Sequence, residues 1–227
     1  MKCIYCLNDS SAAKGVAHVF PEAIFKNDVT LPIGSVCDEC NNYLKELDSA
    51  LIAHNHIWPL LQLIGLPGKK GKPRKKLGFM ELSEDAQSLS MNFTQKNIGK
   101  ISITGKQVQI HVKNPQNFDD KLFRRALHHI AFNALTFMGG KELMMNNIFN
   151  NARKYIRQPK KGEIWPCIAY SAERQKQVDA QLISISSTHG LIIRLGIFHN
   201  DFYVDLLNTG DLHSWAAAHF QNSALRH

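Results

Sequence analysis

Apolar and polar residues alternate from Gly99 to Val112, on either side of a Gly105-Lys106 pair. A period of two residues is typical of half-buried strands, and a Gly-containing pair between two such runs is typical of a tight turn. The pattern therefore predicts a β-hairpin. Similar strand patterns recur near the end of the chain, at 182–186, 190–198 and 201–207, with the last two joined as a hairpin across His199-Asn200.

A helical pattern separates these strands. Between Phe118 and Met138 the apolar residues return every three or four positions, Asn117 can cap the start and Gly139-Gly140 ends the run. A second helix is expected over 141–155, and a further helix is expected from Asn42 onward. The order strand, strand, helix, helix, strands indicates an α+β fold for the C-terminal part of the chain.

Four cysteines form two Cys-x-x-Cys pairs, Cys3/Cys6 and Cys37/Cys40. Two disulfides would also use four cysteines, but the first residues show no apolar signal core, and no apolar run approaches the ~18 residues that cross a bilayer. We therefore expect a cytoplasmic protein without a membrane partner, in which the four thiolates hold one structural Zn²⁺. The fifth cysteine, Cys167, is expected to be a small buried apolar residue.

The segment between the pairs carries His18-Val19-Phe20-Pro21, and Asn41 directly follows Cys40. Cys-x-x-Cys, then His-x-x-Pro, then Cys-x-x-Cys-Asn resembles the zinc-containing HNH endonucleases, which have the ββα-metal nuclease fold. The resemblance covers residues 1–57. It implies that His18 is the general base for hydrolysis of DNA phosphodiesters, that Asn41 binds a catalytic Mg²⁺ or Mn²⁺, and that the setting is host defence or a mobile element.

The chain departs from the family where the residue before the base is usually an acid, because Ala17 stands there. Three explanations are open: an inactive nuclease, a metal site completed by Glu22, Asp28 or Asp48, or an acid deliberately replaced by alanine. His18 itself has alternative readings as a packed polar residue or a zinc ligand. His54 and His56 could reach the metal, although an exposed pair at a helix end is the expectation.

The charge of the chain is concentrated. Its 227 residues carry a formal charge of +8, and 44% are hydrophobic, as in a globular protein. The basic segment, residues 66–78, is rich in Gly and Pro and is expected to be a loop that neutralises phosphates of DNA, with RNA not excluded. A solvated linker is the alternative. Its six positive residues are Lys69, Lys70, Lys72, Arg74, Lys75 and Lys76.

The basic segment also gives the expected domain boundary. We expect a zinc-bound HNH-like module over 1–65, followed after the basic segment by a mixed helix and strand domain over 79–227. That domain would grip nucleic acid, form a homodimer or bind a regulatory partner; the basic or histidine side chains in its helices would contact phosphate or form an ordinary polar face. These residues are Arg124, Arg125, His128, His129, Arg153, Lys154, Arg157, Lys160 and Lys161. Two functions follow: an HNH endonuclease, or a non-catalytic zinc ribbon that binds nucleic acid or a protein partner.

Overall fold

The computed structural model describes residues 1–24, 29–54, 57, 61, 80–82, 89–91, 98–104, 107–112, 120–171, 178–186 and 190–224. These residues form two compact units. One unit joins Met1–Leu51 to Asp120–His227, and the other is Ile52–Asp119. The cysteine-rich start of the chain therefore belongs to the same unit as the C-terminal α+β region, and the basic segment lies outside the described residues.

The unit Ile52–Asp119 contains two separate antiparallel pairs of strands. Strand β1 (Met80–Leu82) pairs with β2 (Leu89–Met91), and β3 (Ile98–Thr104) pairs with β4 (Gln107–Val112). The second pair confirms the predicted hairpin, with Thr104 opposite Gln107 next to the predicted turn. The pair β1 and β2 was not predicted, because each of its strands has only three residues.

The helices of the other unit are α1 (Asp38–Ile52), α2 (Asp120–Gly139), α3 (Lys141–Met144), α4 (Asn150–Arg157) and α5 (Leu212–Ala224). The predicted long helix is α2. The single helix expected over 141–155 is wrong, because α3 and α4 are separated by a 3₁₀ turn, Asn147–Phe149. The Asn146 side chain accepts a hydrogen bond from the Ile148 N–H and so caps that turn. Asparagine competes for backbone donors in this way and interrupts helices.

A four-stranded antiparallel sheet completes this unit, in the order β5-β8-β7-β6. The strands are β5 (Cys167–Ser171), β6 (Val178–Ser186), β7 (Gly190–Ile197) and β8 (Asn200–Asp205). Strands β7 and β8 confirm the predicted hairpin, and β6 starts four residues before the predicted 182. Neither β5 nor α5 was predicted.

The sheet lies between two layers of helix. Successive residues of a strand face opposite sides, and on β8 Phe202 meets Phe123 of α2 at 5.6 Å between ring centroids, whereas Tyr203 meets Trp215 of α5 at 5.4 Å. Helix α2 is buried along most of its length and also contacts the start of the chain, where its Phe132 lies 5.1 Å from Tyr5. Helix α2 is therefore the shared core of the sheet and the cysteine-rich residues.

Candidate functional site

The first cysteine pair lies on a tight turn closed by a bridge between Lys2 and Asp9. The Cys3 N–H donates to the Asn8 carbonyl at 2.8 Å and the Leu7 N–H to the Cys3 carbonyl at 3.0 Å, with Leu7 in the left-handed region at a φ of 63°. The Tyr5 N–H approaches the Cys3 Sγ at 3.4 Å. Backbone donors aimed at sulfur stabilise a thiolate.

The second pair opens helix α1. Cys40 lies in its first turn, and its N–H points at the Cys37 Sγ at 3.5 Å. The four Sγ atoms lie within 4.8 Å of one another, and those of Cys6 and Cys37 are 3.7 Å apart. A tetrahedral zinc with Zn–S bonds of about 2.3 Å places its sulfurs roughly 3.8 Å apart. The four cysteines are thus positioned to hold a metal ion, consistent with structural zinc.

The acid-base properties of the thiols fit the same role. The pKa of Cys3 is lowered to about 4, chiefly by the hydrogen bond with Cys40, while the pKa of Cys40 is raised by the same contact and by burial. The two sulfurs thus compete for one proton, because closely spaced thiolates repel each other. A divalent ion removes that repulsion and is expected to release the remaining protons.

His18 lies on a short extended segment that follows the first turn. It forms an isolated antiparallel bridge with Thr30, the Val19 N–H donates to the Val29 carbonyl at 2.9 Å, and the Leu31 N–H donates to the Ala17 carbonyl at 2.8 Å. Ala17 and Val19 are buried, whereas His18 between them is half-exposed. These two short extended segments, which we call the His18 strand (residues 17–19) and its partner strand (residues 29–31), are joined by an isolated bridge, and helix α1 follows them.

The loop before His18 is fastened to the first turns of α1. The Asp38 carboxylate accepts from the Gly15 N–H at 2.7 Å and the Lys14 N–H at 3.2 Å, and these bonds lower the pKa of Asp38. The Asn41 amide donates to the Val16 carbonyl at 3.3 Å. A Cβ on Gly15 would lie 2.9 Å from Asp38 Oδ1, so glycine permits this close approach. Asp38, which the sequence did not single out, and Asn41 therefore both fasten the loop before His18 to the start of α1.

Neither Glu22 nor Asp48, the two described acids proposed to complete a metal site, belongs to a group of side chains that could hold a metal ion. Asp28 lies outside the described residues, and Glu22 is exposed. Asp48, on α1, has its Oδ1 3.7 Å from the Nε2 of buried His129, and burial raises the pKa of Asp48 to about 6. Among the described residues the four-cysteine cluster is the one grouping of His, Cys, Asp and Glu positioned to hold a metal.

His129 belongs to a buried polar network that the sequence did not reveal. Its Nδ1 lies 2.7 Å from the Tyr5 hydroxyl, which donates to the Asn133 Oδ1 at 2.6 Å. The Asn133 amide in turn donates to the His18 carbonyl at 2.9 Å. Burial, with a smaller contribution from the charge of Arg125, lowers the pKa of His129 to about 3. His129 is thus an uncharged member of a structural network and is not placed to bind phosphate.

Two of the arginines considered for phosphate contact or an ordinary polar face are buried and bond to the protein backbone. Arg153 is buried and donates to the Ile4 carbonyl at 2.9 Å, to Asn150 at 2.7 Å and to the Met144 carbonyl. Arg125, also buried, donates to the Ile156 carbonyl at 2.7 Å and the Tyr43 hydroxyl at 3.0 Å. Because Ile4 lies between Cys3 and Cys6, Arg153 ties the first cysteine turn to α4.

The other basic, histidine and cysteine residues considered from the sequence differ in how far they are buried. His128 is fully buried between Tyr155 and Trp165, and Arg124 pairs with Asp120 at 2.8 Å. Lys154, Lys160 and Lys161 are exposed and Arg157 is half-exposed. His54 is buried, not exposed as expected, and His56 lies outside the described residues. Cys167 is only partly buried, and its burial raises its pKa.

No protein-family model, no curated protein and no solved structure matches this chain. Within the part of the chain that the structure describes, no helix is long and apolar enough to span a membrane.

Proposed function

We propose that this chain is a divalent-metal-dependent HNH-type endonuclease that hydrolyses DNA phosphodiesters. The observation that supports it most is the order of the His18 strand, its partner strand and α1 beside four clustered cysteines. A further support is the hydrogen bond from the Asn41 amide to the Val16 carbonyl, two positions before His18.

In this function each residue has a defined part. His18 takes a proton from the attacking water, because an imidazole nitrogen can accept a proton as a general base. The Asn41 side-chain oxygen is a hard ligand of the type that Mg²⁺ and Mn²⁺ prefer. When bound, such an ion would supply charge stabilisation at the phosphate and the leaving oxygen. The four cysteines would hold Zn²⁺ and so join the first cysteine turn to the start of α1.

Ala17 favours a second candidate, a zinc-bound module that binds nucleic acid or a partner without cleaving. Its side chain is 7% exposed, so an acid at this position loses hydration and is stabilised only if a cation lies beside it. The effect of an acid placed at position 17 therefore shows whether a catalytic ion binds beside this residue.

A plasmid-cleavage assay with Mg²⁺ or Mn²⁺ separates the two candidates. The wild-type chain, Ala17→Glu and His18→Ala are compared, each with its zinc content verified. The nuclease predicts metal-dependent cleavage by the wild type or by Ala17→Glu, and none by His18→Ala. If all three bind DNA but none cuts it, the binding module is the function.

A further inference from the structure

We propose that Asn133 of α2 is a positioning residue for His18, and that it fixes the backbone of the His18 strand from the side opposite the partner strand. The observation is the 2.9 Å hydrogen bond from the Asn133 amide to the His18 carbonyl, formed across 115 positions of sequence. The inference rests on the proposed function to the extent that His18 acts on a substrate. The hydrogen bond by which Asn133 fixes the backbone of the strand does not depend on that function.

The backbone of the His18 strand has two edges. The Ala17 carbonyl and the Val19 N–H face the partner strand, where they bond to Leu31 and Val29. Because backbone groups alternate along a strand, the His18 carbonyl faces the other edge. An unpaired edge carbonyl inside a protein is costly. Asn133 supplies its donor, so the strand is held on both edges at the candidate base.

The orientation of the Asn133 amide is determined by its partners. Its nitrogen must face the His18 carbonyl, so its oxygen faces the Tyr5 hydroxyl, 2.6 Å away. Tyr5 has one proton to donate and gives it to Asn133, which leaves the His129 Nδ1–H to donate to the Tyr5 oxygen. Each hydrogen bond in this network therefore has a defined donor and acceptor. The Asn133 amide cannot flip without losing its bonds to His18 and Tyr5.

The far end of the network is anchored at the cysteines. Tyr5 lies between Cys3 and Cys6, is 2% exposed, and packs against Phe132 of α2. Asn133 itself is 1% exposed. A buried polar network of this kind specifies one arrangement, because a partly satisfied one is strongly unfavourable. The His18 strand thus receives its position from α2 and the first cysteine turn together.

The test compares two substitutions with a matched control. Asn133→Leu removes both bonds, and Asn133→Asp keeps the size but places an oxygen against the His18 carbonyl. Thr136→Val is the control, because Thr136 is buried one turn later on α2 and donates only to the Phe132 carbonyl of its own helix. The full zinc-loaded chain is used for all variants.

Hydrogen exchange of the Val19 and Leu31 amides is the readout that needs no cleavage. Both Asn133 variants are expected to speed exchange at these amides about tenfold, as for the loss of one buried hydrogen bond, with α1, the sheet and zinc content unchanged. Thr136→Val is expected to leave them unchanged. Unaltered exchange in both Asn133 variants, or faster exchange throughout the unit, overturns the proposal.

Cleavage kinetics add the functional readout. A misplaced base is expected to lower kcat up to about a hundredfold, while KM and the pH profile stay those of the wild type. Local exchange that rises with no change in kcat overturns the positioning role. If neither the wild-type chain nor Ala17→Glu cleaves DNA, the proposed function fails, and the exchange measurement still decides whether Asn133 holds the His18 strand.

Discussion

At the residue scale, the clearest functional feature is the set of four cysteine thiols that are positioned to bind a metal ion. Two of the four sulfurs have a backbone N–H aimed at them, from Tyr5 and Cys40, and the sulfur spacing fits a tetrahedral ion. Cys6 of the first pair and Cys37 of the second pair are 31 positions apart in sequence. A metal that joins them stabilises the folded state by its binding free energy, since the unfolded chain offers no preformed site.

Cys37→Ser is therefore expected to lose zinc and to lower the free energy of unfolding by about 4 kcal/mol or more. Zinc content by elemental analysis and denaturant unfolding give the two values. Cys167→Ser is the matched control, because Cys167 lies on β5 outside the cluster, and it is expected to keep its zinc and to cost less than about 1.5 kcal/mol. Equal zinc content in Cys37→Ser and Cys167→Ser would rule out the four-thiolate site.

Buried His128 gives a pH dependence that can be isolated by substitution. Burial lowers the pKa of His128 to about 4, while its Nδ1 contacts the Arg124 carbonyl at 2.8 Å and the Arg124 charge and Asp205 lie nearby. The unfolded histidine titrates near 6.5, so below that pH the unfolded state binds the extra proton. Stability that is complete above pH 6.5 is consequently lost as the pH falls towards 4.

His128→Phe removes this proton-binding site and keeps an aromatic ring between Tyr155 and Trp165. Between pH 7.5 and 4.5 the wild type is expected to lose on the order of 2 kcal/mol relative to His128→Phe, measured by denaturant unfolding. Loss of zinc at acid pH affects both chains and cancels in the difference. A difference that stays constant with pH would mean that His128 is not buried as a neutral residue.

At the scale of elements, the connections between strands and helices decide where the candidate site forms. Asp38 and Asn41 at the start of α1 fasten the loop before His18, and Asn133 of α2 holds the strand itself. The turn after β8 is organised in the same manner, because the Asp205 carboxylate accepts from the backbone N–H groups of Leu191, Leu207, Thr209 and Gly210. In each case a short Asp or Asn side chain forms hydrogen bonds with backbone groups, with aspartate accepting from N–H groups and asparagine donating to carbonyls.

Gly190, at the start of β7, is required by this turn. Its φ is +79°, and a Cβ there would overlap the Asp205 carboxylate, whereas Gly162 has a φ of +81° with open space around it. Gly162→Ala is expected to cost about 1 kcal/mol through the backbone alone. Gly190→Ala is expected to cost at least about 2 kcal/mol more, because Asp205 must move and give up hydrogen bonds. Similar unfolding midpoints for the two variants would contradict this account of the turn.

At the scale of the whole molecule, sequence periodicity and spacing predicted the parts with strong local signals. The hairpin of β3 and β4, helix α2, the hairpin of β7 and β8 and the four-cysteine cluster were all accessible, because each has a regular period or a fixed motif. Arg153 and Asn133 were not, since their partners Ile4 and His18 lie more than a hundred positions away. From sequence alone, a basic or amide side chain is expected to be solvent-exposed, because the distant groups that would pair with it in the interior are unknown.

The basic segment yields a prediction for the molecule as a whole, drawn from sequence. If it lies along phosphates, replacing its six positive residues with Gln weakens DNA binding mainly at low salt and reduces the slope of log K against log salt by up to about five. Binding across a salt series measures that slope. A variant with the same residues in shuffled order should bind like the wild type, because phosphate contacts carry no base sequence. An unchanged slope in the Gln variant would assign the segment to a solvated linker.

The proposed hydrolysis by His18 is tested most directly by the rate of plasmid nicking. The measurement uses the zinc-loaded chain with Mn²⁺, compared with His18→Ala at equal DNA binding and equal zinc content. We expect nicking by the wild type, or by Ala17→Glu if the carboxylate is needed, and a loss of at least about a hundredfold in His18→Ala or in the corresponding double variant. Nicking that persists without His18, or DNA binding with no nicking by either chain that retains His18, would contradict the proposal.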